Sequence, residues 1–390
     1  MTKEEYLEIA SRHWDSIDSL KEKENFYDYE ATLDEIIVSL GRDVLEKSLG
    51  TISSNRRKKK KKETRFGRIE IAKSHRFCSK GDSMYSPYLQ DLCLFLGQEE
   101  TYDRGVLLLN KLARISADSM QIYRCVTSHS RAISTLLEEE RPCKVTQKLS
   151  KVYGMVDGSM ILTRNQGWKE VKIGRVFEDV SVYNLHSSRN WLGHSEYMAH
   201  LGSHTEFEKK MSVITDKYAD LEENFIFIND GAKWIWNWIE SVYPKATQIL
   251  DYYHAIEHLG NFARLYIKNK QMRKKWVDKN AELLKKQGVE PLITLLEELD
   301  ISTKIIKKEK EKLLNYYNNN RNRMDYPTYL KKELLIGSGA VEAAHRTVSQ
   351  KRLKLSGQRW TEKGAQNVLN LRVVNLSDRW NEVQNMLRAA

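Results

Sequence analysis

Apolar residues recur at helical spacing near the start of the chain, at Tyr6, Ile9 and Trp14 and again at Leu33, Ile36, Ile37 and Leu40, which predicts a helical segment over residues 1–52. The stretch SSNRRKKKKKE then breaks the period with seven consecutive bases, Arg56 to Lys62. Such a run reads as a solvated linker over residues 53–65, with a DNA-contacting arm as its functional reading. After a short strand-like piece, RFGRIEIAKSHRF, come three helical patterns that each begin at a Ser or Thr cap: SPYLQDLCLFLG, TYDRGVLLLNKLA and SADSMQIYRCVTSHSRAI. Three short helices with brief connections permit a helix-turn-helix within residues 66–150. Gln121, Arg124, Ser128 and Arg131 fall on one side of the third helix at spacings of three and four, as a groove-reading helix requires.

From Val152 the pattern changes to strands. VYGMVDGSMILT, WKEVKIGRVFEDV and SEYMAHLG are rich in β-formers, and Thr205 to Leu221 follows as a helix. In NFIFINDGAKWIWNWIESVYP, the apolar run Phe225–Asn229 meets Asp230-Gly231, and Trp234, Trp238 and Val242 then mark one side of a helix. A strand running directly into a helix is the grammar of an α/β layer.

Composition narrows the class. The 390 residues carry 64 lysines and arginines against 53 acids, a net +11 that favours polyanionic partners. No apolar run approaches the roughly 18 residues of a membrane span, and the start lacks the order of a signal peptide, so a soluble cytoplasmic protein is expected. Cys78, Cys93, Cys125 and Cys143 are spaced 15, 32 and 18 apart, which fits neither a metal knuckle nor a disulfide framework.

The candidate chemistry lies in three acids. Asp157 and Asp230 each precede a glycine, and Asp-Gly is also a hairpin signal, weaker for Asp230 because a helix follows it. Each stands at or near the end of an apolar strand, where an ionised carboxylate is costly unless paired or metal-bound. A divalent cation held between them removes that cost, and hard oxygen donors suit Mg2+ or Mn2+. The stretch IGSGAVEAAHRTVSQKRLKLSGQRW places a single carboxylate, Glu342, ahead of His345, Arg346, Lys351, Arg352, Lys354 and Arg359. As a third ligand, Glu342 would face phosphate across the metal while the basic tract holds the backbone.

At this point MVDGSMI, FIFINDGAKWI, ILDYYHAIEHL and GSGAVEAAHRTVSQKRLKLSGQRWTEKGAQNVLNLR together resemble the DDE transposases of bacterial insertion sequences, most closely the Kra-type group, from about Lys151 onward. The resemblance implies an α/β fold: an RNase H-like mixed sheet flanked by helices over residues 151–390, a helical insertion at about 251–330, and an N-terminal all-helical DNA-binding region. It places the catalytic, metal-binding triad on Asp157, Asp230 and Glu342. Asp251 and His254 match the family's Asp-x-x-His element and would support the site, although Asp251 also reads as a helix cap. A basic residue found in some relatives seven positions after the Glu falls on Ser349, with Lys351 or Arg352 as substitutes. The implied partner is double-stranded DNA, both the element's terminal inverted repeats and the target, bound by a dimer or higher oligomer. The DNA-contacting candidates are Lys58, Lys59, Lys60, Lys61, Lys62, Arg124, Arg131, Arg346, Lys351, Arg352, Lys354 and Arg359, with Trp360 either stacking on an unpaired base or lying in the core.

Three other readings remain. His254-x-x-Glu257-His258 matches a zinc peptidase pattern but leaves the three acids unexplained. An RNase H-like nuclease shares the site chemistry, and a domesticated DNA-binding protein would have lost it.

Overall fold

A computed structural model describes residues 1–50, 59–78, 83–139, 151–179, 182–186 and 189–389. The chain forms two compact units, residues 1–130 with 380–390, and residues 131–379, a division that does not follow the boundaries expected at 53, 66 and 151.

In the first unit, α1 (Lys3–Arg12), α2 (Trp14–Asp18) and α3 (Phe26–Ser48) occupy the segment read as helical. The basic stretch corrects two expectations at once, the linker and the all-helical region. Lys59–Thr64 is a strand, β1, paired antiparallel with β2 (Gly67–Ala72). The lysines can form a strand because β2 supplies what they lack. Ile69 and Ile71 are buried opposite Lys62 and Lys60, Lys59 pairs with Glu70 at 3.2 Å, and the Arg68 guanidinium lies 2.5 Å from Glu63. Lys58 lies outside the described residues.

Helices α4 (Pro87–Glu99), α5 (Tyr102–Ala113) and α6 (Ser119–Ser128) follow, capped by Ser86, Thr101 and Asp118. The third pattern is not one helix. It breaks at His129, whose Nδ1 lies 2.9 Å from the Cys125 carbonyl, and α7 (Ser130–Glu138) begins beyond it. Arg124 is therefore on α6 and Arg131 on α7, so the expected four-residue reading face is not carried by a single helix. Helix Trp380–Ala389 completes this unit, with Trp380 Nε1 donating to Asp91 at 2.7 Å. Cys78, Cys93 and Cys125 are free thiols, and Cys143 lies outside the described residues.

The second unit is built on a five-stranded mixed sheet. Its strands are β3 (Val152–Thr163) and β4 (Gly167–Glu178) and, after a two-stranded pair β5 (Val182–His186) and β6 (Arg189–Leu192), β7 (Glu196–Leu201), β8 (Phe225–Asn229) and β9 (Thr247–Leu250). The order is β7-β4-β3-β8-β9, antiparallel on the β7 side and parallel across β3, β8 and β9. Asp157 sits inside β3, and the hairpin turn comes later, at Gly167 with φ of 69°, which removes the hairpin reading of Asp157-Gly158.

Helices α8 (His204–Thr215) and α9 (Lys233–Val242) connect the strands, and the former passes into a 3-10 turn where one continuous helix was expected. The segment read as an insertion holds α10 (Tyr252–Tyr266), α11 (Lys270–Gln287), α12 (Glu290–Glu298), α13 (Lys304–Asn320) and α14 (Tyr326–Lys331). Last in this unit come α15 (Gly339–Ala344), a π-helical turn His345–Gln350, α16 (Lys351–Leu353) and α17 (Glu362–Leu376). No helix among the described residues is long and apolar enough to cross a membrane.

Candidate active site

Register aligns the acids. β3 and β8 pair from Val152↔Phe225 to Gly154↔Phe227, and β8 and β9 from Ile226↔Thr247 to Asn229↔Leu250. Continuing the same offsets sets Asp157, inside β3, level with Asp230 and Asp230 level with Asp251, the latter two just past the ends of β8 and β9. The β3–β8 ladder stops at Gly154, and the buried Asn229 side chain takes over. Its Oδ1 accepts from the Val156 amide at 2.6 Å, and its carbonyl accepts from the Asp251 amide at 2.9 Å. One asparagine thus registers the backbone next to all three acids.

The two leading acids sit in different electrostatic states. Burial pushes the Asp157 carboxyl up, but His345, the Gly158 amide at 2.7 Å and the charge of His254 outweigh it and hold Asp157 below the usual carboxylate range. His345 Nε2 stands 3.1 Å from Asp157 Oδ2, at ion-pair distance but outside hydrogen-bond geometry. Asp230 moves the other way. Burial raises it, the Ala232 amide at 3.0 Å opposes that, and repulsion from Asp157 adds to the rise. Gly231 is required by contact, since a Cβ there would meet the Tyr316 ring at 2.4 Å.

Asp251 is a clasp. It is 2 % exposed, and both oxygens are occupied: Oδ1 caps α10 through the amides of Tyr253 and His254, and Oδ2 accepts from the amide and hydroxyl of Ser338. The Gly-Ser-Gly segment is thereby tied to the end of β9. Within it Gly337 is required by contact, because a Cβ would meet the Tyr253 ring at 2.6 Å, whereas Gly339 faces open space. Ser338 leads straight into α15, which carries Glu342 in its first turn and is held to β4 by Arg175 donating to the Ala340 carbonyl at 2.9 Å.

Glu342 itself is exposed, and among the described residues no three His, Cys, Asp or Glu side chains are already gathered for a metal ion. Asp157 and Asp230 nevertheless fit a hard divalent cation: both offer oxygen donors, and a cation relieves their repulsion. Glu342 must turn inward to join them. His254 acts electrostatically on both acids and leans toward Glu257 at 3.7 Å, while His258 stacks on Tyr316 at 4.0 Å. The ring stacking makes His258 a packed residue rather than an open ligand of a peptidase site.

The basic candidates divide sharply. Lys354 Nζ donates to Ser159 Oγ, two residues from Asp157 on the same face of β3. Arg346, Lys351 and Arg359 are exposed. Arg352 is 1 % exposed and lies 4.9 Å over the Trp360 ring, whose Nε1 donates to the Leu353 carbonyl at 3.1 Å. Trp360 also joins the β3 edge through Leu162 and Arg164. The expectation that Arg352 grips DNA is therefore corrected, and of the two readings of Trp360 the packing matches the core one: each holds the other in the fold. Ser349 is fully buried and donates to the His345 carbonyl, so it does not reach solvent. In the first unit Arg124 and Lys61 are exposed and Lys60 is half-buried, but Lys62 is buried and donates to the Ser83 carbonyl at 2.8 Å.

Sequence reasoning missed His345 as a partner of Asp157, Asn229 as the registering residue and Ser338 as the clasp. Signals existed for two of them. His345 follows Glu342 by three residues, one helical turn, and Asn229 is the sole polar residue of the buried run Phe225–Asn229. The chain matches no protein-family model, and no curated protein matches it.

Proposed function

We propose that this protein is a DDE-type DNA transposase with an RNase H-like catalytic domain, in which Asp157, Asp230 and Glu342 carry the reaction. The observation that supports it most is the β3–β8 register, which carried on past Gly154↔Phe227 brings Asp157 within β3 level with Asp230 just past the end of β8, with the root of the Glu342 helix clasped to the next strand by Asp251 and Ser338.

Asp157 and Asp230, with Glu342, would hold Mg2+ or Mn2+, which when bound would supply charge stabilisation at the phosphate and ease formation of the nucleophile. The protein's own groups do the rest. His345 keeps Asp157 ionised and oriented. Lys354, beside Ser159, offers a positive charge to the phosphate nearest Asp157, and the exposed Arg346, Lys351 and Arg359 hold the flanking backbone. Water first breaks a P–O bond at the element end and leaves a 3′-OH. That hydroxyl then attacks a target phosphodiester and expels a target 3′ oxygen, so one bond forms for each that breaks. Two ends must be joined, which calls for a dimer or higher oligomer on DNA in the cytoplasm.

The test uses a supercoiled plasmid carrying the DNA that flanks the protein's own gene, with Mg2+ or Mn2+ added. Cleaved 3′-OH ends and joined products are expected from the wild type, and neither from Asp157→Asn, Asp230→Asn or Glu342→Gln. Cleavage without joining would make it a nuclease of the same chemistry, and zinc-dependent peptide hydrolysis lost on His254→Ala with His258→Ala would overturn the proposal.

A further inference from the structure

We infer that Arg372 is a positioning residue: it holds open the π turn at His345–Gln350, and that turn lets one helical stretch present both His345 and Lys354 to the same strand, β3. The inference rests on the reading of Asp157, Asp230 and Glu342 as the reacting centre.

The geometry poses the problem. An α-helix turns about 100° per residue, so His345 and Lys354, nine residues apart, would fall about 180° from one another and face opposite ways. Yet His345 Nε2 lies 3.1 Å from Asp157, and Lys354 Nζ donates to Ser159 on the same face of the same strand. Between them runs the six-residue π turn, whose wider coil accumulates less rotation. The stretch behaves as an α-helix carrying one extra residue, since eight α-helical steps come to about 80° beyond two full turns and would leave the two side chains on one side.

Such turns are rare, occur mostly as single-turn bulges within α-helices, and are frequent at functional sites. Here Arg372 holds the turn. It projects from α17, is 1 % exposed, and donates through Nε to the carbonyls of Thr347 at 3.0 Å and Val348 at 2.9 Å, with Nη2 also on Thr347. Ser349 Oγ adds a bond to the His345 carbonyl at 3.0 Å. Burying a guanidinium is costly, and a planar fork reaching two adjacent carbonyls is what an arginine offers and a lysine does not. This charge is spent on the helix, not on DNA.

The experiment compares the wild-type full chain, Arg372→Met, and Arg372→Met with Gln350 deleted. Gln350 is exposed, and removing it takes the extra residue out. Helix phase is read without any activity by adding Ser159→Cys and Lys354→Cys to each chain and mapping the crosslink made by a short bis-maleimide, whose span replaces the reach of the lysine side chain that contacts Ser159. The 159–354 crosslink should form in the otherwise wild-type chain, fall away in Arg372→Met and return on deletion of Gln350. Plasmid cleavage should follow the same order, with kcat down about a hundredfold in Arg372→Met, KM for DNA little changed, and most of the loss recovered by the deletion. A folded Arg372→Met chain with wild-type crosslinking overturns the inference. Should Arg372→Met fail to fold, the deletion must restore a folded, crosslinking chain, and failure to do so overturns it equally. A wild type that crosslinks but cuts no DNA counts against the proposed function and not against the positioning role.

Discussion

His345 Nε2 stands 3.1 Å from Asp157 Oδ2, so the acid on the central strand already faces a partner supplied by the helix that carries Glu342. Burial raises Asp157, and the Gly158 amide, His254 and above all His345 bring it below its ordinary value. In the metal-free protein, His345→Ala should therefore raise the Asp157 titration midpoint, followed by carboxyl carbon NMR. An unchanged midpoint would show that the Gly158 amide and His254 suffice.

Asp230 supplies the opposite sign. Its folded-state carboxyl is raised by burial and by Asp157, so its contribution to stability is full at acid pH and lost as pH rises through the carboxylate range. Asp230→Asn should accordingly raise the Tm of the metal-free protein at neutral pH while abolishing cleavage. The stability lost through Asp157 runs the other way, as pH falls through its depressed value.

Cation binding gives a third check. At a concentration 100 times the dissociation constant, Mg2+ or Mn2+ should stabilise the wild-type chain by about 2.7 kcal/mol. Thermal melts of Asp157→Asn and Asp230→Asn should show most of that gain gone. Equal stabilisation of both variants would move the cation elsewhere.

The Asp251 clasp should matter for fold and chemistry together. Asp251→Ala removes a helix cap and the charged acceptor of two Ser338 bonds, a loss of about 3 kcal/mol by urea unfolding. Ser338→Ala removes only the hydroxyl. It should cost about 1 kcal/mol and still depress cleavage, because one of the two bonds that anchor the chain four residues before Glu342 is lost.

The lysines of β1 should separate by burial. Lys61→Gln should weaken binding to any duplex and flatten the salt dependence by about 0.9 log units per log salt, the amount that one un-neutralised phosphate accounts for. Lys62→Gln should leave binding nearly unchanged and cost about 1 kcal/mol of stability through the Ser83 carbonyl. Equally weakened binding in both variants would mean the hairpin opens on DNA.

What the sequence made legible was local. The runs ending at Asp157 and Asp230 are apolar because their strands are buried, and the acids stand out for that reason. The strand at Lys59–Thr64 was not legible because its apolar face belongs to Ile69 and Ile71 across the hairpin. Asp251 and Ser338 are 87 residues apart, a distance over which periodicity says nothing. Arg352 read as a DNA-binding residue because composition does not say which way a charge points, and packing turned it inward against Trp360. Arg372, the last residue of VLNLR, stands out only as part of a motif, since the Thr347 and Val348 carbonyls it reaches are groups that no side-chain pattern announces.

The bond from Trp380 to Asp91 spans 289 residues. On a ribosome adding 5–20 residues per second, roughly 15 to 60 s separate the synthesis of those two partners. Throughout that interval the whole of residues 131–379 is made while α4 waits for the helix that covers it. Residues 131–379 thus have the opportunity to fold before the first unit is complete, because the last helix of that unit is made after them.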